Sequence, residues 1–278
     1  MKWNIIADSS CDLFALEGPA EGVSFSTVPF VISVDSTDYV DDERLDTPGM
    51  VTAMEKSRQA CRTSCPFPNA WYDLFMQPGH VIAVTISGRL SGSWNSANAA
   101  REMALEACPD KKIAVIDSRS TGPEIILIVR KICEAIASGA DFDAVVKSAE
   151  DLAERTHIVF ALSSFNNLVK NGRMSRIAGF LAGKLHLWGI GVGSEEGTIR
   201  VKHKVRGARM ALEAIVQDIK ERRERPGEIV ISHCLNRELA ETLKDSIERL
   251  WNSAKVQVVP TRGLCSFYAE RGGLIVAF

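Results

Sequence analysis

The sequence lacks a long hydrophobic run and an excess of charge of either sign. No stretch of 18 or more uncharged apolar residues occurs, which argues against a transmembrane helix. The 33 Lys and Arg residues are balanced by 35 Asp and Glu residues, so the net charge of −2 offers no general attraction for nucleic acid or an acidic membrane surface. The N-terminal segment has neither the apolar core nor the cleavage site of a secretory signal, and we expect a cytoplasmic protein.

Regular cysteine spacing and the common catalytic motifs are also missing. The seven cysteines are an odd number at irregular intervals, which favours reduced thiols, and Cys61 and Cys65 have no second pair or nearby histidine to complete a zinc site. The chain contains no G-x-x-x-x-G-K-[ST], G-x-G-x-x-G or G-x-S-x-G motif, and its five histidines are scattered. We therefore expect no catalytic residue, no metal and no cofactor.

The pattern that is present is that of a two-domain α/β protein. Its 278 residues, 46% of them hydrophobic, are enough for two cores. In residues 1–155, short apolar strands at Trp3–Ala7, Val81–Ile86 and Ile113–Ile116 alternate with helical patterns, which predicts a parallel-sheet, three-layer α/β/α domain. In residues 156–278, paired strands are followed by amphipathic helices, which predicts a mixed-sheet α/β domain. No linker separates the two, so we expect a ligand-sized crevice between them.

Local signals predict several element boundaries. Thr47 has the chemistry of a helix N-cap, with Pro48 at the first helical position. Pro29 cannot donate to a central ladder, so Val23–Val34 is predicted to be extended and to lie at a sheet edge.

The segment Leu168–Ser175 predicts a helix end. Gly172 suits the left-handed position after the last helical residue, and Ser175 suits the cap of a new helix. Arg173 would then stand in an exposed connection. It is either a surface arginine or a contact for a partner or ligand.

Three hydroxyl-rich turns follow strands or precede helices, at Asp8–Asp12, Thr63–Pro66 and Ser87–Ser93. In an open parallel sheet, ligands bind at the carboxyl ends of the strands, where helix N-termini favour anions. The three turns together therefore predict a site for a carboxylate or phosphate. Taken singly, each turn is also explained by ordinary capping and turn formation.

Six short segments follow one another in a fixed order: Ile5–Leu13, Thr63–Pro66, Ile86–Ser93, Val115–Ser118, Asn171–Ser175 and Lys204–Arg206. In that order they resemble the DegV family, bacterial fatty-acid-binding proteins whose relatives present an acyl chain to a separate fatty acid kinase. The resemblance spans nearly the whole chain. It implies one long-chain fatty acid as ligand, with its chain buried and its carboxylate near the interdomain opening, and a fatty acid kinase subunit as partner.

The resemblance also implies roles for particular residues. The carboxylate would be surrounded by Thr63, Ser64, Ser87, Gly88 and Ser91. Arg173 would lie in the Gly-Arg turn of the family, at a position that faces the kinase. Glu270 and Arg271 are also predicted head-group residues, because the chain departs from the family pattern near its C-terminus.

Two departures from the family pattern affect the head-group site. Gly88 stands where the family has a second serine. Near the C-terminus, Tyr268–Gly273 replaces a His-Gly-rich segment, so that Glu270 stands where a histidine would complete the site and Arg271 is available to pair with it. Either the chain binds fatty acid through backbone N–H groups and Arg271, or it binds another amphiphile or no ligand.

Two other functions remain open at this point. A degenerate interaction protein would have its pocket filled, for which Trp188, Phe180 and Phe267 are large enough. A serine-dependent acyl hydrolase or transferase would use Ser87 or Ser91 as nucleophile, although the sequence places no base beside either.

Overall fold

The computed structural model describes residues 2–174, 187–224 and 226–278. Its strands are β1 (Trp3–Asp8), β2 (Val23–Val28), β3 (Val31–Val34), β4 (Thr37–Val40), β5 (Arg62–Ser64), β6 (His80–Thr85), β7 (Ile113–Asp117), β8 (Ile158–Leu162), β9 (Leu187–Gly193), β10 (Ile199–Arg206), β11 (Glu228–His233), β12 (Lys255–Pro260) and β13 (Leu274–Ala277). Its helices are α1 (Thr47–Lys56), α2 (Pro68–Phe75), α3 (Ser93–Ala107), α4 (Pro123–Ala137), α5 (Phe142–Ala153), α6 (Asn166–Lys170), α7 (Ala208–Arg222), α8 (Arg237–Leu250) and α9 (Gly263–Ala269). In these ranges no helix is both long enough and apolar enough to cross a bilayer.

The first sheet is parallel and is covered on both faces. Its strand order is β2-β1-β6-β7. One face, which includes Ile6 and Ala83, packs against α2 and α3, where the small side chains of Ala97, Ala100 and Ala104 let α3 lie close to the strands. The opposite face packs against α4 and α5. The predicted three-layer α/β/α arrangement is confirmed.

The segment around Pro29 divides between two sheets. β2 is the edge strand of the first sheet, as predicted, but β3 is the central strand of a separate three-stranded antiparallel sheet with the order β4-β3-β5. The edge prediction was therefore wrong for Val31–Val34. Pro29 lies between β2 and β3, outside both ladders, so its missing N–H does not restrict β3.

The second sheet is mixed, as predicted. Its order is β10-β9-β8-β13-β11-β12, antiparallel throughout except for the β11–β12 pair. α7 and α8 cover one face. Toward the other face lies α4, which packs between the two large sheets and shares a core with Val230 and Ala277. The strands of the parallel sheet all precede residue 155 and those of the mixed sheet all follow it, while the domain boundary itself stays a prediction.

Two predicted helix boundaries have different outcomes. α1 is capped by Asp46, whose carboxylate accepts the Gly49 N–H at 3.1 Å, so Thr47 is already inside the first turn and is not the cap. At the end of α6, Gly172 has φ +73° and the Arg173 N–H donates to the Leu168 carbonyl at 2.9 Å, the geometry predicted from the glycine. The predicted helix start at Ser175 lies outside the described residues.

Candidate functional site

An apolar cavity in two adjoining parts lies against the mixed sheet. The part we call the first chamber has about 470 Å³ of unfilled space and the second chamber has about 510 Å³, and both volumes include space that is open to solvent. Both chambers are lined by Leu90, Thr121, Leu168, Ile199, Tyr268 and Ile275. The first is also lined by Phe30, Thr63, Ile86, Ser91, Arg173, Leu264 and Cys265, and the second by Arg119, Ser120, Ile158, Phe160, Leu162, Gly193, Gly197, Thr198 and Ala269. Because six residues line both chambers, the two spaces adjoin, and most of their lining is apolar.

Polar side chains from distant parts of the sequence meet in the first chamber. The Thr63 hydroxyl and the Tyr268 phenol are 2.9 Å apart and hydrogen-bonded. The Arg173 guanidinium is half-buried, not exposed as predicted, because it donates to the carbonyls of Leu90, at 3.1 Å, and Asn171. Burial raises the pKa of Tyr268, and the positive charge of Arg173 partly opposes this. The phenol is therefore a neutral donor beside a cation, which is suitable for binding a carboxylate.

The Ser/Gly-rich loop after β6 is held in place by Asp8. One carboxylate oxygen of Asp8 accepts the Ile86 N–H at 2.9 Å and the Ser93 hydroxyl at 2.6 Å, and the other accepts from Ser10. Burial raises the pKa of Asp8, while these hydrogen bonds act in the opposite direction. Asp8 thereby ties the end of β1 to the loop that carries Ser91 into the first chamber.

Ser87 and Gly88, in the same loop, contact other parts of the chain. The Ser87 hydroxyl is buried and donates to the Gly197 carbonyl at 2.6 Å, across to the β9–β10 turn. The Gly88 N–H donates to the carboxylate of Asp117 at 3.1 Å. A Cβ at Gly88 would lie 3.1 Å from that carboxylate, so a side chain here would have to fit closely against Asp117.

The C-terminal residues predicted at the head group are also engaged elsewhere. A Glu270 carboxylate oxygen accepts the Asn167 N–H at 3.2 Å, and burial raises the pKa of Glu270. Arg271 is exposed and pairs with Glu55, with Nε 2.7 Å from a carboxylate oxygen, and not with Glu270. Ser64 is exposed on β5.

Of the predicted residues, the structure thus brings Thr63, Ser91 and Arg173 together around the first chamber. Tyr268 joins them and was missed as a site residue. The sequence feature that could have identified Tyr268 is its position at the start of Tyr268–Gly273, the segment that departs from the family pattern. On α9 it stands four residues after Leu264, so both line the chamber from one helix face.

The large residues considered as pocket fillers have other packing. Trp188 packs toward α7 and α8 on the opposite face of the mixed sheet. Phe267 is fully buried and meets the Tyr268 ring edge-on, with centroids 4.8 Å apart. Phe180 lies outside the described residues.

Known proteins resemble this chain over its whole length. A family model described as "Uncharacterised protein, DegV family" matches residues 2–278. The chain belongs to the DegV family. A DegV domain-containing protein of Streptococcus pneumoniae is 38% identical over 278 residues, which cover 100% of this chain and 99% of the relative.

Solved DegV structures share the fold over the full length. The fatty acid kinase B3 protein of Streptococcus pneumoniae, solved with linoleic acid, has a TM-score of 0.97 at 38% identity and covers 100% of this chain and 99% of its own. A DegV protein of Eubacterium eligens, solved with heptadecanoic acid, has a TM-score of 0.94 at 34% identity, with 99% and 98% covered. Both proteins carry long-chain fatty acids.

Proposed function

We propose that this protein binds one long-chain fatty acid, with the carboxylate in the first chamber and the hydrocarbon chain in the second, and presents the head group to a fatty acid kinase. The observation that carries this proposal is a pair of adjoining, mainly apolar chambers, with Thr63, Tyr268 and Arg173 in the lining of the first. The fatty acids bound to the DegV proteins of Streptococcus pneumoniae and Eubacterium eligens support it.

The energetics favour a ligand with a long chain. Each buried methylene contributes about 0.8 kcal/mol, whereas one hydrogen bond contributes about 1 kcal/mol. A hydroxyl missing at Gly88 is therefore a small loss compared with the burial of an acyl chain. For the carboxylate we propose Thr63, Ser91, Tyr268 and Arg173 as partners, while roles for Ser64, Ser87, Gly88, Glu270 and Arg271 stay predictions.

The proposed contact with the kinase is the turn at Gly172 and Arg173. Gly172 is exposed, and the guanidinium of Arg173 lies between this turn and the first chamber through its bonds to Asn171 and Leu90. Arg173 would therefore be sensitive both to the carboxylate and to a partner that covers the turn.

The hydrogen bonds of the two serines favour a carrier over a hydrolase. Ser87 donates to a backbone carbonyl and accepts the Arg89 N–H at 3.2 Å, and the Ser91 hydroxyl accepts the Ser93 N–H at 3.2 Å. In residues 2–174, 187–224 and 226–278, neither hydroxyl has a hydrogen bond to a histidine or carboxylate that would act as its base. We therefore propose that the protein itself catalyses no reaction.

Native mass spectrometry of the purified protein, followed by organic extraction, tests the proposal. A single co-purified fatty acid, or uptake of added palmitate or oleate at one equivalent, is the expected result. A folded protein that arrives empty and takes up neither acid would contradict it. Thr63→Val is expected to reduce uptake, while Thr242→Val, on the exposed face of α8, is the matched control.

A further inference from the structure

The second chamber shares a wall with a polar crevice. The crevice has about 1460 Å³ of unfilled space, part of it open to solvent, and its lining includes the charged residues Glu124, Glu154, Glu195, Glu196, Arg200 and Arg222. Four other residues, namely Arg119, Ile158, Gly193 and Thr198, line both the crevice and the second chamber. The apolar chamber and the polar crevice therefore adjoin at these four residues.

Ile158 is the large apolar side chain among the four shared residues. β8 and β9 are antiparallel, with Val159 opposite Val192 and Phe160 opposite Gly191. Both valines face the core under α7 and α8, whereas Ile158 and Phe160 face the chamber. A Cβ at Gly193 would lie 2.8 Å from the Ile158 Cγ2 atom, so Ile158 covers the glycine.

The other two shared side chains are polar and exposed. Thr198 lies after the β9–β10 turn, and Arg119 approaches Glu154 at 3.7 Å on the crevice side. Thr198 and Arg119 offer the end of a hydrocarbon chain less apolar surface than Ile158 does. Ile158 therefore supplies the apolar closure of the second chamber.

We infer that Ile158, placed over Gly193, is the stop for the methyl end of the bound chain and sets the longest acyl chain that the protein accepts. The inference rests on the proposed function. Each methylene that enters the apolar chamber increases affinity about fourfold. A methylene beyond Ile158 would enter a crevice lined by charged side chains and gain little, so affinity should stop rising with chain length there.

Competition among saturated fatty acids from dodecanoic to docosanoic acid, read by native mass spectrometry, tests this. Ile158→Ala should move the preferred acid to a longer chain, because the space that the isoleucine side chain leaves at the end of the chamber can bury further methylenes. Ile158→Phe should move it to a shorter chain. Val159→Ala is the matched control, since it removes side-chain volume from the next residue of β8 on the opposite face and should leave the preference unchanged.

A second probe requires no variant. Hexadecanedioic acid carries a carboxylate at both ends, and one of them would be buried in the apolar chamber against Ile158. The wild-type protein should bind it at least about tenfold more weakly than hexadecanoic acid.

The outcomes separate this inference from the proposed function. If wild-type protein binds fatty acids but both folded Ile158 variants keep its chain-length preference, the methyl end lies elsewhere and the inference is wrong. Equal binding of hexadecanedioic and hexadecanoic acids would also overturn it, because the chamber would then be open to the crevice. Wild-type protein that binds no acid of the series contradicts the proposed function itself.

Discussion

At the scale of single residues, we expect Tyr268 to have the largest effect on fatty acid binding at the proposed head-group site. Its phenol is the donor that α9 contributes to the first chamber, and it bonds Thr63 from 205 residues away. Because burial raises the pKa of Tyr268, the hydroxyl keeps its proton near neutral pH. It can therefore donate to an anionic carboxylate without adding repulsion.

Tyr268→Phe is expected to weaken fatty acid binding about tenfold or more, because a hydrogen bond to a charged group contributes about 1.5 to 3 kcal/mol. Titration of the delipidated protein with oleate checks this. The methyl ester, which lacks the charge, should be less affected. Tyr72→Phe on α2 is the control, and equal affinities of Tyr268→Phe and wild type would remove the phenol from the proposed head-group site.

A second residue, Asp12, is buried beneath the start of α9 and is expected to affect the pH dependence of stability. One carboxylate oxygen accepts the Arg262 N–H at 2.8 Å, and the other is buried without a hydrogen-bond partner among the described residues. Burial raises the pKa of Asp12 from 3.8 to about 7, a shift that the Arg262 N–H opposes. The folded protein therefore keeps a proton on Asp12 that the unfolded chain loses near pH 4.

Because of the raised pKa of Asp12, we expect the free energy of unfolding to fall as pH rises from about 4 to about 7. Little further change is expected above pH 7. The contribution of Asp12 to stability is fully present below the pKa that it has in the unfolded chain. It is lost as pH rises through the pKa that it has in the folded protein. Asp12→Asn should reduce that slope and be more stable than wild type at pH 8, by on the order of 1 to 4 kcal/mol. Urea unfolding at pH 5 and pH 8 checks this, with exposed Asp110→Asn as control. A steeper slope in Asp12→Asn would contradict the assignment.

At the scale of elements, β9 is shaped by its glycines. Gly189, Gly191 and Gly193 alternate with Trp188, Ile190 and Val192, which belong to the core under α7 and α8. The glycine side of the strand therefore leaves space toward the second chamber. Phe160 uses that space, since a Cβ added at Gly191 would overlap its ring.

Gly191→Ala is expected to displace the Phe160 ring into the second chamber. Fatty acid uptake should fall, and stability should decrease by about 1 to 3 kcal/mol through overpacking. Combining it with Phe160→Leu should restore part of the uptake, because a smaller side chain leaves room again. Gly227→Ala, where an added Cβ meets no atom within 4 Å, is the control. Full uptake by Gly191→Ala alone would contradict this account.

At the scale of the whole molecule, α4 joins the two large sheets. It forms one core with β1 and β6 of the parallel sheet and with Val230 and Ala277 of the mixed sheet. Eight of its residues are buried, including Pro123 and Glu124 at its start. A helix buried on both sides couples the stability of one sheet to that of the other.

Ile128→Ala should therefore destabilise the protein by about 2 to 5 kcal/mol as one unit. Hydrogen exchange should become faster at the slowest amides of β6 and of β13 by the same factor. Met103→Ala, on the exposed side of α3, should change neither. Faster exchange confined to one sheet would mean that the sheets unfold independently.

Much of the architecture could be predicted from the sequence because it depends on local pattern. Short apolar strands such as Trp3–Asp8, amphipathic helices such as α8 and the glycine end of α6 are specified by neighbouring residues. The order of short motifs was likewise enough to indicate the family. Three residues of those motifs, Thr63, Ser91 and Arg173, line the first chamber, and their role in binding stays a proposal.

What the tertiary structure alone decided is where side chains meet. α9 was not predicted because its start is satisfied by Asp41, whose carboxylate accepts the N–H groups of Gly263 and Leu264 at 2.8 Å from more than 220 residues away. The hydrogen bond from Ser87 to Gly197 and the ion pair of Arg271 with Glu55 likewise join residues that are far apart in the sequence. Periodicity specifies which face of an element is buried, but the partner of a polar group depends on long-range packing that no local pattern encodes.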